Sequence, residues 1–194
     1  MKHFRCLSLL GTLLCLLLLA SCGPSNTVRL LPLKQDASVL PAPTSSTISV
    51  VQFADKREDR SSLGLRRDHS YFTSIDSAPK WLSEAAADKL SAHGYRVTYA
   101  KSVAEGVKGS PDYILTGSLE ELNIKEQSAT SFEISMRVKY VLSNKTKKIA
   151  METLTANQTR TTFPSNSAVE SLLQDTLKDI INPMYEKVRS VVKK

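Results

Sequence analysis

From Phe132 to Lys139 apolar and polar residues alternate without a break. Phe132, Ile134, Met136 and Val138 fall on one side, continued by Tyr140 and Leu142, and Glu133, Ser135, Arg137 and Lys139 fall on the other. A period of two sets the first group on one face of a β-strand, so this segment predicts a long strand with one face in a core and one in water. Two other segments carry the period of a helix. Ala78, Trp81, Leu82, Ala85, Ala86 and Leu90 form one i, i+3, i+4 stripe. Asp76 or Ser77 is placed to cap its start, Pro79 is tolerated in a first turn, and Gly94 suits its end. Near the C-terminus the stripe is Leu172, Leu173, Leu177, Ile180, Ile181, Met184 and Val188, and Ser167-Ala168-Val169-Glu170 before it has capping-box spacing. Pro183 falls within that helix and predicts a kink or break near Ile181–Asn182.

The β-branched run Ile48 to Phe53 reads as a buried strand, and Tyr95, Val97 and Tyr99 alternate in another. Tyr113 to Ile124 reads as a strand weakened at Gly117. Asn144 to Lys148 reads as a hairpin turn leading into a strand over 149–161. Ala54–Ser74 is a charge-dense loop, and Lys101–Asp112 is a loop with Gly106, Gly109 and Pro111. The order β-α-β-β-β-β-α predicts an α/β (α+β) fold: a mixed, mostly antiparallel sheet of about 4–5 strands with two helices packed on one face.

The N-terminus is different in kind. Lys2 and Arg5 precede an apolar run from Leu7 to Ala20, which meets Ser21, Cys22, Gly23 and Pro24. A basic segment followed by a short apolar one is a secretory signal, and the run falls short of the roughly 20 residues that span a bilayer. Leu19-Ala20-Ser21-Cys22 resembles the lipobox of bacterial lipoproteins. That resemblance implies cleavage between Ser21 and Cys22 and a diacylglycerol thioether on Cys22, with palmitate-type acyl chains as the membrane anchor. The chain then divides into a signal peptide (1–21), a lipidated Cys with a Pro/Ser/Thr-rich tether (22–46) and a single globular domain (47–194). Pro24, Pro32, Pro41 and Pro43 mark the tether, which is expected to hold the domain off the bilayer. Val28-Arg29-Leu30-Leu31 interrupts it as a short strand able to pair with the sheet. In enteric-type bacteria Asp after the lipidated Cys retains a lipoprotein in the inner membrane; Gly23 implies the outer membrane, facing the periplasm.

Cysteine usage narrows the chemistry. Cys6, Cys15 and Cys22 are the three in the chain, so cleavage leaves only the blocked Cys22. Disulfide frameworks, cysteine-based metal sites and cysteine nucleophiles are thereby excluded. Losing Lys2 and Arg5 lowers the formal charge from +7 to +5. That balance suits an anionic envelope polymer or lipid headgroups; exported location and the lack of a recognition motif exclude nucleic acid.

The densest candidate site is the loop after Phe53. Asp55, Arg57, Asp59 and Arg60 head it, and Arg66, Arg67, Asp68 and His69 continue it. Loops at strand ends carry binding residues on a rigid scaffold, and planar guanidinium forks grip carboxylate or phosphate. The plainer reading is a solvated loop whose Asp55–Arg57 pair fixes a turn. His93, at a helix end, is expected to bond the last carbonyls. Glu120 and Glu121 would face opposite sides of a strand unless a bulge intervened. With no Gly-x-Ser-x-Gly elbow, His-Glu-x-x-His helix or P-loop, no catalytic residue, metal site or cofactor is expected beyond the covalent lipid.

The layout resembles the YajG family of bacterial lipoproteins. The likeness is carried by the lipobox, by Ile48-Ser49-Val50-Val51-Gln52-Phe53 followed by Ala54-Asp55-Lys56-Arg57, and by the helix exit His93-Gly94-Tyr95-Arg96-Val97. It spans nearly all of the mature chain. It implies a membrane-anchored, non-enzymatic outer-membrane lipoprotein, a binding or accessory module for an envelope protein or anionic envelope polymer. A looser likeness, to auxiliary lipoproteins of envelope transport systems, implies an accessory subunit for lipid or lipopolysaccharide transport, and such a carrier needs an apolar groove between helix and sheet. A periplasmic hydrolase would need His69 and an acid to converge.

Overall fold

The computed structural model describes residues 26–35 and 38–192. The signal 1–21, the cleavage pair Ser21–Cys22, Gly23 and Pro24 lie outside the described residues. The elements in chain order are β1 (Thr47–Val51), β2 (Ala54–Asp55), β3 (Gly64–Leu65), β4 (Tyr71–Phe72), α1 (Ala78–Ala92), β5 (Arg96–Ala100), α2 (Val103–Gly106), β6 (Tyr113–Ser128), β7 (Ser131–Asn144), β8 (Lys148–Thr161) and α3 (Asn166–Val191).

β6, β7 and β8 form an antiparallel meander. The alternation read from the sequence is realised in β7, where Phe132, Ile134, Met136, Val138, Tyr140 and Leu142 are all fully buried. Each such side chain contributes roughly 1.5–3 kcal/mol by leaving water, which fixes the register, because a one-residue slip would turn the whole row to solvent. The other edge of β6 is shared by three short parallel strands in succession: β1 against Tyr113–Leu115, β2 against Ser118–Leu119 and β3 against Ile124–Lys125. β5 extends the sheet parallel to β1, and β4 folds back antiparallel to β3. The sheet thus has eight strands, more than expected, because the charged stretch 54–74 supplies three pieces too short to show a period.

α1 and α3 pack against each other and over the buried face of the meander. Their stripes are buried as read from the sequence. α2, which the sequence reading left as loop, covers β1 from the other face: a Cβ on Gly106 would stand 2.9 Å from Ser49 Oγ. Two local expectations are corrected. α3 continues unbroken through Pro183, which is exposed rather than on the buried stripe, so the carbonyl it leaves unpaired can face water. Its cap is Ser165, whose side chain accepts from Ala168 N, and not the Ser167–Glu170 box. Ser77 occupies the α1 cap position without a side-chain bond, while Asp76 is engaged elsewhere.

Gly117 is required by packing. A Cβ there would lie 2.7 Å from Phe53 Cε2 and 2.8 Å from the Lys139 carbonyl. Polar pins then fasten α3 to β8: Lys187 Nζ–Glu152 at 2.8 Å, Arg160–Asp175 at 2.8 Å and Gln158–Asp179 at 2.5 Å. Glu152 also accepts the buried Tyr140 hydroxyl at 3.1 Å. Burial, with the Glu152 bond and charge, pushes that phenol well up.

Candidate functional site

The first described residues are locked onto the domain. Thr73 N donates to Asn26 O and Val28 N to Thr73 O, both at 2.9 Å. Val28 is fully buried and Leu30 is 7% exposed. Glu170, on α3, accepts from Arg29 N at 3.0 Å, Nε at 3.2 Å and Nη2 at 3.1 Å. Asp76 Oδ2 accepts from Leu30 N at 3.0 Å, Trp81 Nε1 donates to Leu31 O at 2.8 Å, and Gln174 donates to Pro32 O at 2.9 Å. The hydrogen bond from Arg29 holds the Glu170 carboxyl below its ordinary range against the opposing effect of burial. The tether expected over 22–46 is therefore docked from Asn26 to Pro32. Its apolar part takes bonds from both helices rather than adding a sheet strand, with a single parallel bridge at Thr27–Thr73. Val28 and Leu30, two apart, share the inward face, and Arg29 between them points to Glu170. The apolar interruption that suggested a short sheet strand instead docks against both helices.

The charged loop is spent on itself. Arg57, 7% exposed, clasps Asp55 through Nε at 2.9 Å and Nη2 at 2.8 Å and donates to the Ser62 and Arg60 carbonyls. Burial alone would raise the Asp55 carboxyl; the hydrogen bonds and charge of Arg57 outweigh it and lower it. Asp59 is held down to about 2 by the side chains of Ser61 and Ser62. Arg66 lies 4.5 Å from the centre of the Phe72 ring and pairs with Glu126 at 3.0 Å. Arg60 and Arg67 keep exposed side chains. Gripping a ligand with Arg57 or Arg66 would first break buried bonds, so the turn-fixing reading fits these two.

A β-bulge does fall between Leu119 and Glu121. Glu121 is nevertheless taken by Ser135 Oγ at 2.7 Å and by Arg137. With Glu58, Asp59, Glu120 and Tyr71 it borders an open depression of about 540 Å³. His69 stands exposed at the β3–β4 turn with φ 65°, and the neighbouring Asp68 carboxylate accepts from Ser70 N and Oγ. His93 Nδ1 meets Lys89 O at 2.8 Å, as expected of a helix-end histidine, and its ring lies 4.2 Å from Tyr185. Among the described residues no three His, Cys, Asp or Glu side chains cluster as a metal site.

Among the described residues the groove between helices and sheet that a lipid carrier requires is closed. The gap bordered by Ala86, Leu90, Leu115, Ile181, Met184 and Val188 holds about 10 Å³, no more than one water. A shallow hollow of about 780 Å³ does open beside α1, but Asp76, Lys80, Glu84 and Asp88 line it with Trp81 and Leu33.

A basic group that no sequence motif marks gathers at one end of the sheet. Arg96, Lys108, Lys145, Lys147 and Lys148 are exposed near the end of the sheet where β6 begins, and none has an ion pair among the described residues. Asp112 there is held low chiefly by hydrogen bonds from Thr47, with Lys145 and Arg96 helping. The triplet in the β7–β8 turn was legible as charge but was read only as a turn.

No model of a known protein family matches the chain, and no curated protein sequence does. Among the described residues no helix is long and apolar enough to cross a membrane. Solved structures align with the chain. A lipoprotein of Neisseria meningitidis, GNA1162, aligns at TM-score 0.44 and 16% identity over 73% of this chain and 99% of its own. An uncharacterised protein aligns at TM-score 0.53 and 11% identity over 79% of this chain and 99% of its own. Protein XCC0632 of Xanthomonas campestris, of family DUF330, aligns at TM-score 0.58 and 11% identity over 84% of this chain and 94% of its own. The chain therefore shares its fold with a DUF330 protein.

Proposed function

We propose that this chain is a lipid-anchored, non-enzymatic lipoprotein of the bacterial envelope, of the YajG type, held in the outer membrane and facing the periplasm. Its domain serves as a binding or accessory module for an anionic envelope polymer or an envelope protein. The lipobox at Leu19–Cys22 supports the anchor. The observation that carries the binding role is the exposed basic end, Lys108, Lys145, Lys147, Lys148 and Arg96, which form no ion pair among the described residues, whereas Arg57 and Arg66 of the loop first expected to bind are consumed inside the fold. An accessory role in lipid transport stays compatible only in a form that carries no acyl chain between helices and sheet.

The anchor is tested by labelling cells with radioactive palmitate: Cys22→Ser abolishes the label and leaves the precursor uncleaved. Persistence of the label refutes it. The binding role is tested by sedimenting the full-length protein with peptidoglycan sacculi or lipopolysaccharide and by crosslinking from the β7–β8 turn in cells. Salt-sensitive retention, or a crosslinked envelope protein, is expected, and is lost on Lys145→Glu, Lys147→Glu and Lys148→Glu together. If charge reversal changes neither, the basic end is not the binding surface.

A further inference from the structure

The direction in which the first described residues run fixes which end of the domain lies next to Cys22. The bridge Thr27–Thr73 is parallel, β4 is antiparallel to β3, and β3 is parallel to β6. The chain therefore enters the domain running opposite to β6, from the end where β6 finishes at Ser128. Asn166, in the first turn of α3, marks the same end by donating to Thr27 O at 2.9 Å. Four peptide units separate Cys22 from Asn26. At 3.3–3.6 Å per residue they reach no more than about 14 Å, while the headgroup layer of one leaflet is about 5–7 Å deep. A domain anchored through Cys22 thus has its Ser128 end within contact distance of the lipid surface, not held away by a long tether.

That end carries a side chain suited to such a surface. Phe163, in the loop between β8 and α3, is 72% exposed. With Pro164 and Ala129 it borders a shallow, largely apolar depression of about 420 Å³ that Arg66, Arg67, Asp68 and Glu126 complete. The acids there are already engaged: Glu126 accepts from Arg66 Nη1 and Arg67 N, and Asp68 accepts from Ser70. Arg67 is exposed and lines the same depression as Phe163. An exposed aromatic flanked by a cation with no ion pair among the described residues suits the boundary between headgroups and acyl chains.

We propose that the Ser128 end is a membrane-contact surface, with Phe163 inserted among the lipid headgroups and Arg67 against lipid phosphate. The inference rests on lipidation at Cys22 and adds an orientation to it. The absence of any free thiol in the mature sequence provides the test. Full-length Phe163→Cys and Gly109→Cys proteins, the second at the opposite end where a Cβ meets nothing within 4 Å, are labelled with an environment-sensitive dye. They are then reconstituted into vesicles of phosphatidylethanolamine and phosphatidylglycerol containing spin-labelled lipid, and acylation is checked by mass. The expected result is blue-shifted emission at 163, quenched several-fold by the spin label, and water-like emission at 109. Acylated protein with equally water-like emission at both positions, or with the dye at 109 quenched instead, overturns the contact surface and leaves the anchor standing. Protein without acyl chains overturns the lipidation reading and, with it, this inference.

Discussion

The docked lead makes a quantitative claim about Val28, a residue the sequence alone places in a tether. Its side chain is fully buried among core residues. Val28→Ala removes two methyl groups, about 1.6 kcal/mol at roughly 0.8 kcal/mol each. The cavity left behind adds to this, giving about 2–3 kcal/mol in all. For a domain of this size that lowers the melting temperature by about 4–12 °C. Circular dichroism of the purified protein reads the shift. Trp81, the only tryptophan, supplies a local probe, since its Nε1 bonds Leu31 O at 2.8 Å; loosening of the lead should red-shift its emission below the main transition. A free tether would behave as an ordinary surface segment, within about 0.5 kcal/mol of the parent. A melting temperature unchanged to within about 1–2 °C, with Trp81 emission unaltered, would therefore refute the docking.

The remaining predictions concern the bonds that hold the lead and the loop. Because Arg29 keeps the Glu170 carboxyl below its ordinary 4.5, the contribution of that group is complete above this value. It is lost as pH falls through the lower folded value. A Trp81 red shift on acidification, absent in Glu170→Gln, is the expected signature; identical acid titrations of the two proteins would dismiss it. Arg57→Ala strips a buried partner from Asp55 and leaves the Ser62 carbonyl unpaired, so it should cost about 3 kcal/mol in urea denaturation, whereas Arg60→Ala should stay within about 0.5 kcal/mol. Equal midpoints would mean that the loop is not built around Arg57. Gly64→Ala places a Cβ 2.0 Å from Ile124 O at φ +134°, and strain with overpacking should cost about 3 kcal/mol or more. A parent-like melting curve would rule out the β3–β6 pairing as described.

What was legible in the sequence follows from how many residues express one period. β7 repeats its alternation six times and α3 repeats its stripe over seven positions, so tertiary structure had only to accept them. β2, β3 and β4 have two residues each; β2 and β3 exist because β6 offers them an unpaired edge and β4 because β3 then offers it another, a property of the assembled sheet rather than of 54–74. Glu170 shows the same limit from the other side. Its spacing from Ser167 suited a capping box, but Arg29, 141 residues away, supplies three donors and takes it instead. Arg57 likewise carried the right chemistry for recognition, and only its burial reveals that the guanidinium is occupied. The basic β7–β8 turn gained meaning once the fold placed it at the end opposite the one where the lead enters.

That opposition bears on what the lysines can read. α3 begins at the Ser128 end and runs 26 residues, about 39 Å at 1.5 Å per residue, toward the end where Lys145, Lys147 and Lys148 lie. Charge interactions across water decay over about 8 Å at physiological ionic strength, so these lysines stand several decay lengths from any bilayer at the Ser128 end. With that end on the lipid surface, they cannot be serving to attract the protein's own membrane. On that anchoring, the proposed anionic partner would approach these lysines from the side away from the lipid surface. On the proposed anchoring the net charge read from the sequence becomes directional: the lipid would hold one end, and the opposite end carries the exposed basic groups that the proposed binding role assigns to a separate anionic partner.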